Sequence, residues 1–388
     1  MTELLTEGAP SLTTPLDLAR HDRFRAGFHA VTEFGHRLLA ARLVAVDALP
    51  APGATVEVEQ IRDRFAVLPQ YDRLCHALLD ILDRAGFLRR AGDRFEVTHR
   101  ISEVAGLSDD VVAAAEADRI RQAHPEAAGY VPLLTACQAR LIEVLDGRIP
   151  ANEVLFPGGS ADLVSAVYRD NVQLDFFNQL CAERVQGHVR QFLQRYPRAY
   201  AQVLEVGAGT GGTTGPVLAA LAEWADRLRY LYTDVGPGFL RLARRQFGAG
   251  RSYLDFARYN VEGSPDDQGF EPHSMDVVLA SNVLHATERI ITTLASCHRL
   301  LKPGGVLVIN EMTRRLDYNT LTFGLAEGWW RYADDEARIT YSPLLDGPGW
   351  RAALEQAGFT GVELHGVPAL GAADQVQALV VGTATDRH

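Results

Sequence analysis

The chain has 388 residues, 47% hydrophobic and 22% charged, enough for two or three domains of an ordinary globular protein. Acids outnumber bases 49 to 38, for a net charge of −11, which argues against a nucleic-acid scaffold, whose binding face must be basic. No apolar run approaches the ~20 residues of a membrane helix, and Met1 to Glu7 lack the basic and apolar regions of a signal peptide.

Cys75, Cys137, Cys181 and Cys297 form no C-x-x-C pair and read as reduced structural thiols of a cytoplasmic protein. The histidines, among them His21, His29 and His36, make no compact ligand set, so no metal is expected.

Residues 1 to about 20 are polar, with Pro10 and Pro15, and read as loose. From Arg23 to Leu49 apolar residues recur at helical spacing (Phe28, Val31, Phe34, Leu38, Leu39, Leu43, Val46) until Pro50 and Pro52. Val56 to Arg62 predicts a short extended piece entering a helix, and Tyr71 to Ala85 a second amphipathic helix. Two extended runs around Ala91-Gly92-Asp93 predict a hairpin. Helices followed by a hairpin outline a winged helix. Arg89, Arg90 and Arg94 on that hairpin read as a DNA-facing patch or as a solvated face, and the acidic total favours the second. More helix is expected from 101 to about 150. Pro157-Gly158-Gly159 is a turn and a candidate boundary. It divides a mainly helical module, residues 1–155, from a second domain, residues 156–388. Ala161 to Tyr196 again reads as helix.

After residue 200 strands alternate with helices. Strands are predicted at Gln202 to Val206, Leu228 to Thr233, Phe256 to Val261, Met275 to Ala280, Val306 to Glu311, Val362 to Val367 and Val376 to Val381. The fold class is α/β, a doubly wound sheet. Only the loop from Pro368 to Gln375 separates the last two strands, which predicts an antiparallel hairpin at one edge. Such an edge marks the AdoMet-binding form of this fold rather than the NAD form.

The first strand runs into Gly207-Ala208-Gly209-Thr210-Gly211-Gly212, with Glu205 two residues before the first glycine. Glycines let the backbone pass close to a ligand because no Cβ intervenes. The loop is G-x-G-x-G rather than G-x-G-x-x-G, a weak signal alone. The second strand ends in Asp234, an acid placed to accept both ribose hydroxyls of either AdoMet or NAD. The third ends in Asn260 and Val261. There an amide can meet an adenine edge and an aliphatic side chain can cover the ring. Asn260 also reads as an ordinary turn residue.

A more specific pattern lies further on. Val203 to Thr214, Tyr232-Thr233-Asp234, and Ser274-Met275-Asp276-Val277-Val278-Leu279-Ala280-Ser281-Asn282-Val283-Leu284-His285-Ala286-Thr287 resemble the C-methyltransferase domains of polyketide synthases. Leu301-Lys302-Pro303-Gly304-Gly305, Gly328-Trp329-Trp330, Leu155 to Ser160, Tyr168-Arg169-Asp170 and Asn178 extend the resemblance over nearly the whole chain. One departure is Asn260, where these domains usually carry Asp. The chain begins at Met1 outside any synthase, so a free-standing enzyme or an excised domain is expected.

The resemblance implies S-adenosyl-L-methionine as cofactor, an N-terminal lid or dimerisation module, and methylation of the α-carbon of a β-ketoacyl group on an acyl carrier protein. It implies His285 as general base and Glu311 as the residue that orients it. The chemistry suits those residue types. A carbon between a ketone and a thioester must lose a proton, and histidine with a carboxylate partner is the usual base near neutral pH. Glu205, Gly207, Ala208, Gly209, Gly211, Asp234, Asn260, Val261, Ser281 and Asn282 are the expected cofactor contacts. Thr313 to Leu345 forms an insertion rich in aromatics, among them Phe323, Trp329 and Trp330. These line an acyl pocket or pack against the N-terminal module. Tyr168 and Asn178 are candidates for capping cofactor or substrate. Two other functions compete: an O- or N-methyltransferase of a carrier-bound or free small molecule, and a winged-helix regulator with a relic methyltransferase domain.

Overall fold

The computed structural model describes residues 14–368 and 370–385. The reading of residues 1 to about 20 as loose falls mostly outside that range. Helix begins at Leu18, where Asp17 accepts the Arg20 N–H. The helix Leu18–Ala45 buries Phe24, Val31, Phe34, Leu38, Leu39 and Leu43. The helix Asp72–Arg84 packs Leu74, Leu78, Ile81 and Leu82 into the same core. It stops at Gly86, which takes φ +77°. The Gly86 N–H then bonds Asp83 O and the Phe87 N–H bonds Leu82 O, the paired reversal that closes a helix end.

Three short strands follow this pattern: β1 (Thr55–Val56), β2 (Leu88–Ala91) and β3 (Arg94–Val97), ordered β1-β3-β2. The hairpin arginines each face an acid: Arg89 with Glu96, Arg94 with Glu57, and Arg90 with Asp80 at 4.0 Å.

The larger sheet holds β4 (Ala201–Val206), β5 (Leu228–Asp234), β6 (Leu254–Arg258), β7 (Met275–Ser281), β8 (Leu301–Met312), β9 (Phe359–His365) and β10 (Gln377–Ala384). Their order is β6-β5-β4-β7-β8-β10-β9, with β10 antiparallel to both neighbours and the rest parallel. Helices cover both faces, so the central strands are apolar on both sides; every residue from Val306 to Glu311 is buried. This is the class I methyltransferase sheet with its antiparallel edge.

Two elements differ from expectation. The third strand of this sheet, β6, ends at Arg258 rather than Val261. Gln268 draws the chain away by bonding the Asn260 N–H and O, both at 2.8 Å. Between Ala161 and Tyr196 there are two helices, Asp162–Tyr168 and Val172–Arg195. Asp170 takes φ +53°, and Asn171 caps the second helix by accepting the N–H groups of Gln173 and Leu174. Asp and Asn favour such breaks because their side chains replace backbone partners. The break leaves Tyr168 at a helix end.

One hydrophobic core gathers the N-terminal helices, Val164, Val167 and Val172. It also takes in Tyr318, Leu321, Leu325, Trp330 and Tyr332 from the 313–345 insertion. Two further cores fill the opposite faces of the sheet. An ion cluster reinforces the first junction. His36 donates to Asp317 at 2.8 Å and Arg84 binds the same carboxylate at 2.7 Å. Although burial raises it, these bonds hold the Asp317 carboxyl down at about 2.

Candidate active site

β4 and β7 run in register, Val206 beside Ala280, so the glycine loop and the chain after Ser281 leave the sheet at one level. Gly207 takes φ +56°, and a Cβ there would lie 2.3 Å from Val283 Cγ2. The first glycine is therefore required both by conformation and by the neighbouring loop. On the open side, a Cβ at Gly209 would meet nothing nearer than Gly207 O at 3.9 Å, and one at Gly212 nothing within 4 Å. That is a backbone cradle with room for a ligand.

Of the expected cofactor residues, Ala208, Asp234 and Glu205 have hydrogen bonds that fix the loop. Ala208 N–H bonds Thr233 O. Asp234 bridges two turns, accepting Gly209 N–H at 3.0 Å and Gly236 N–H at 2.7 Å. Glu205 lies beneath the loop, 1% exposed, accepting Tyr230 OH at 2.6 Å and Thr214 OH at 2.8 Å. Burial pushes its carboxyl up to about 7, against those hydroxyls. Asn260 is exposed and accepts the Glu262 N–H, while Val261 is buried below it. Asn178 accepts from Thr213 OH at 2.7 Å, tying the helix Val172–Arg195 to the loop. It does not line the cavity described below.

Just past β7, Asn282 takes φ +50°, a conformation that Asn tolerates better than most residues. The chain reverses there into a 3₁₀ turn, Leu284–Ala286. That turn aims the N–H groups of Val283, Leu284 and His285 at Glu311 Oε1, at 2.9, 2.9 and 3.3 Å. Glu311, near the end of β8, is 0% exposed. Its other oxygen, Oε2, lies 2.6 Å from His285 Nδ1. A carboxylate only accepts, so Nδ1 carries the proton and Nε2 is left as the acceptor.

His285 and Asn282 open onto a cavity of about 630 Å³. Phe24 and Phe28 of the first helix, Tyr130, Tyr168, Phe323 and Trp329 also line it. Trp329 meets the His285 ring edge-on at 5.6 Å. Trp330 turns the other way into the N-terminal core, donating to Gly324 O at 2.7 Å. The insertion's aromatics thus do both jobs: Trp329 and Phe323 face the cavity, while Tyr318, Trp330 and Tyr332 pack.

Residues 204–307 match the family model described as a methyltransferase domain. The chain is 38% identical over 360 residues to Polyketide synthase ThaQ of Burkholderia thailandensis, covering 91% of this chain and 17% of that one. It is 36% identical to Polyketide synthase PksR of Bacillus subtilis, over 74% of this chain and 11% of that one. It thus spans a small part of these curated relatives. Among solved structures, the DszA carbon methyltransferase is 35% identical, with a TM-score of 0.85, over 99% of this chain and 97% of that one. The CurJ carbon methyltransferase is 30% identical, with a TM-score of 0.82, over 97% and 96%. The chain belongs to the carbon methyltransferases of polyketide synthases. It is an AdoMet-dependent enzyme, and the cradle above Gly209 fits a nucleotide-like cofactor.

Some parts of this methyltransferase's site escape sequence reasoning. Arg338, with its side chain 1% exposed, pairs with Asp334 at 2.7 Å. It also donates to His285 O at 3.1 Å, Thr287 O at 3.1 Å and Pro343 O at 2.7 Å. Asp334 in turn accepts the Ile290 N–H at 2.6 Å. The insertion is thereby fastened to the loop that carries His285. A second feature is a line of buried amides. Gln173 donates to Gln377 at 3.2 Å, Gln377 to Asn310 at 2.7 Å, and Asn310 to Ser281 at 3.1 Å. No local pattern marks these residues; their partners lie up to 204 residues apart. Among the described residues, no helix is long and apolar enough to cross a membrane.

Proposed function

We propose that the enzyme methylates the α-carbon of a β-ketoacyl thioester borne by an acyl carrier protein, with His285 as general base and Glu311 orienting it. The observation that carries this reading is the 2.6 Å contact between His285 Nδ1 and Glu311 Oε2 at the wall of a largely apolar cavity. Glu311 holds His285 with Nε2 as acceptor, and the three backbone donors on its other oxygen keep the carboxylate in place. The proton between ketone and thioester passes to Nε2, and the imidazolium is stabilised by Glu311. Such a base contributes on the order of 10²–10⁴ in rate. AdoMet, when bound, supplies an activated methyl on a positive sulfur and needs no acid for its leaving group.

Gly207, Ala208, Gly209, Gly211, Asp234, Asn260, Val261, Ser281 and Asn282 would hold that cofactor, with Glu205 bracing the loop from below. Asn178 would act from the same side through Thr213, and Tyr168, Phe323 and Trp329 would contact the acyl group. The N-terminal module, to about residue 155, is read as a lid or dimerisation module. The four buried, free cysteines support a cytoplasmic setting.

The test supplies labelled AdoMet and a panel of β-ketoacyl carriers and hydroxylated analogues, and locates the methyl group by mass spectrometry. Label on the α-carbon is expected. Label found only on oxygen or nitrogen would overturn the assignment.

A further inference from the structure

We propose that the mouth of the acyl cavity is a phosphate site, where Arg25 and Arg314 take the phosphate of the thioester arm on which the acyl group arrives. This rests on the carrier-borne substrate proposed above.

The argument begins with charge. The chain as a whole is at −11, yet the cavity lining carries Arg25, Arg84, Arg314 and Arg315 against only Asp317 and Asp374. Neither reactant as so far described explains the excess of cations. An acyl thioester is neutral, and the sulfonium of the methyl donor is itself positive. A local positive field in an acidic protein attracts an anion.

The four arginines are not equivalent. Arg84 is held by Asp317 at 2.7 Å and Asp80 at 3.0 Å, and Arg315 by Asp80 at 2.6 Å and Thr340 O at 3.0 Å. Those two belong to the junction between the N-terminal helices and the insertion. Arg25 and Arg314 lie at the surface. The Arg25 side chain, 41% exposed, meets Asp374, 55% exposed, at 3.1 Å. Arg314 is exposed and donates to Ala373 O. Exposed pairs of this kind are weak and exchange readily. A guanidinium fork binds phosphate through stronger, charge-assisted bonds.

Their placement fits the task. The acceptors Ala373 and Asp374 are adjacent in one turn, Ala372–Asp374. Two forks from separate elements, the helix Leu18–Ala45 and the chain leaving β8, therefore converge on one spot. His29, four residues after Arg25 on that helix and also exposed, lines the same mouth. The turn leads directly into β10, which neighbours β8, which neighbours β7. Strands lie ~4.8 Å apart, so β10 is roughly 10 Å across the sheet from the strand that delivers His285. The glycine loop after β4 is on the other side of β7. Methyl donor and acyl arm would approach from opposite directions.

The experiment offers the same β-ketoacyl group on pantetheine and on phosphopantetheine, with the carrier-bound form alongside, and compares kcat/KM. The native enzyme is expected to prefer the phosphorylated thioester by roughly ten- to hundredfold, mainly through KM. That preference should shrink with added salt. In Arg25→Gln/Arg314→Gln it should fall toward one, and in Arg25→Glu/Arg314→Glu below one. Both positions are at the surface, so melting temperature serves as a control on folding. Equal kcat/KM for the two thioesters in the native enzyme overturns the site, as does a double variant that keeps the native preference. If no thioester in the series is methylated on carbon, the carrier-borne reading falls and takes the site with it.

Discussion

Two loops leave the same edge of the sheet side by side, and they are built by opposite means. The loop after β4 is shaped by glycines at positive φ, with clear space above Gly209 and Gly212, and is held by the adjacent strand β5 through Thr233 O and Asp234. The loop after β7 is shaped from a distance. Its N–H groups are held by Glu311, its carbonyls by Arg338, and its Val283 rests against Gly207. The glycine loop takes its partners from the strand next to its own. A loop that must present one imidazole in one tautomer needs partners from elsewhere in the chain.

The largest test of that contrast separates binding from chemistry. His285→Ala should lower kcat on the order of 10²–10⁴ while calorimetry finds AdoMet affinity little changed. Glu311→Gln should come close to the same loss. Its amide can still accept the backbone N–H groups, but it would present N–H to Nδ1 and reverse the tautomer. Turnover within a few-fold of native in either variant would remove these residues from the proposed mechanism.

Next comes the remote support. Arg338→Met leaves Asp334 as an unpaired buried charge and should cost about 3–5 kcal/mol, seen in denaturant unfolding. Asp334→Asn/Arg338→Met should recover much of that stability. The double variant should still turn over slowly, because the carbonyls of His285 and Thr287 have lost their donor. Full activity in the double variant would mean that the base loop holds its shape unaided.

The glycine side is probed by pH. Glu205 rises in the fold from 4.5 to about 7, so the folded state binds the extra proton. Its contribution to stability is fully present below about pH 4.5 and is lost as pH rises to about 7. Glu205→Gln should remove that slope and stabilise the protein above neutrality, by about 3 kcal/mol at most. Melting temperatures across that range decide it. The smallest effect is expected where the two loops touch. Gly207→Ala should weaken AdoMet binding by about 1–2 kcal/mol through strain at positive φ and the contact with Val283. Val283→Ala in the same chain should restore part of it.

The same contrast explains what could be read from sequence. Strands such as Val306 to Glu311 and the turn at Gly207 declare themselves because burial on both faces and positive φ each demand particular residue types. Asn282, His285 and Glu311 stand out through family resemblance, yet nothing local shows that the Glu311 carboxylate receives three N–H groups. Which of two adjacent tryptophans faces a cavity depends on packing, so Trp329 and Trp330 were indistinguishable. Asn178 reads as a residue that caps cofactor or substrate, and its bond from Thr213 cannot be seen in the sequence. Arg338 looked like one more charged residue in an insertion, because its acceptors lie 51 and 53 residues away. The end of β6 was misplaced because Gln268, beyond the strand, decides where the chain turns.

The cavity wall has a consequence for how such an enzyme diversifies. Phe24 and Phe28 on the first helix and Trp329 and Phe323 on the insertion shape the cavity. His285 and Glu311 stand on the sheet. Shape and reactivity are thus carried by separate pieces of scaffold, joined where Arg338 of the insertion holds the carbonyls of His285 and Thr287. Replacing an aromatic on the helix resizes the chamber without displacing a proton-transferring group. The cavity can therefore change size while the His285–Glu311 contact stays in place.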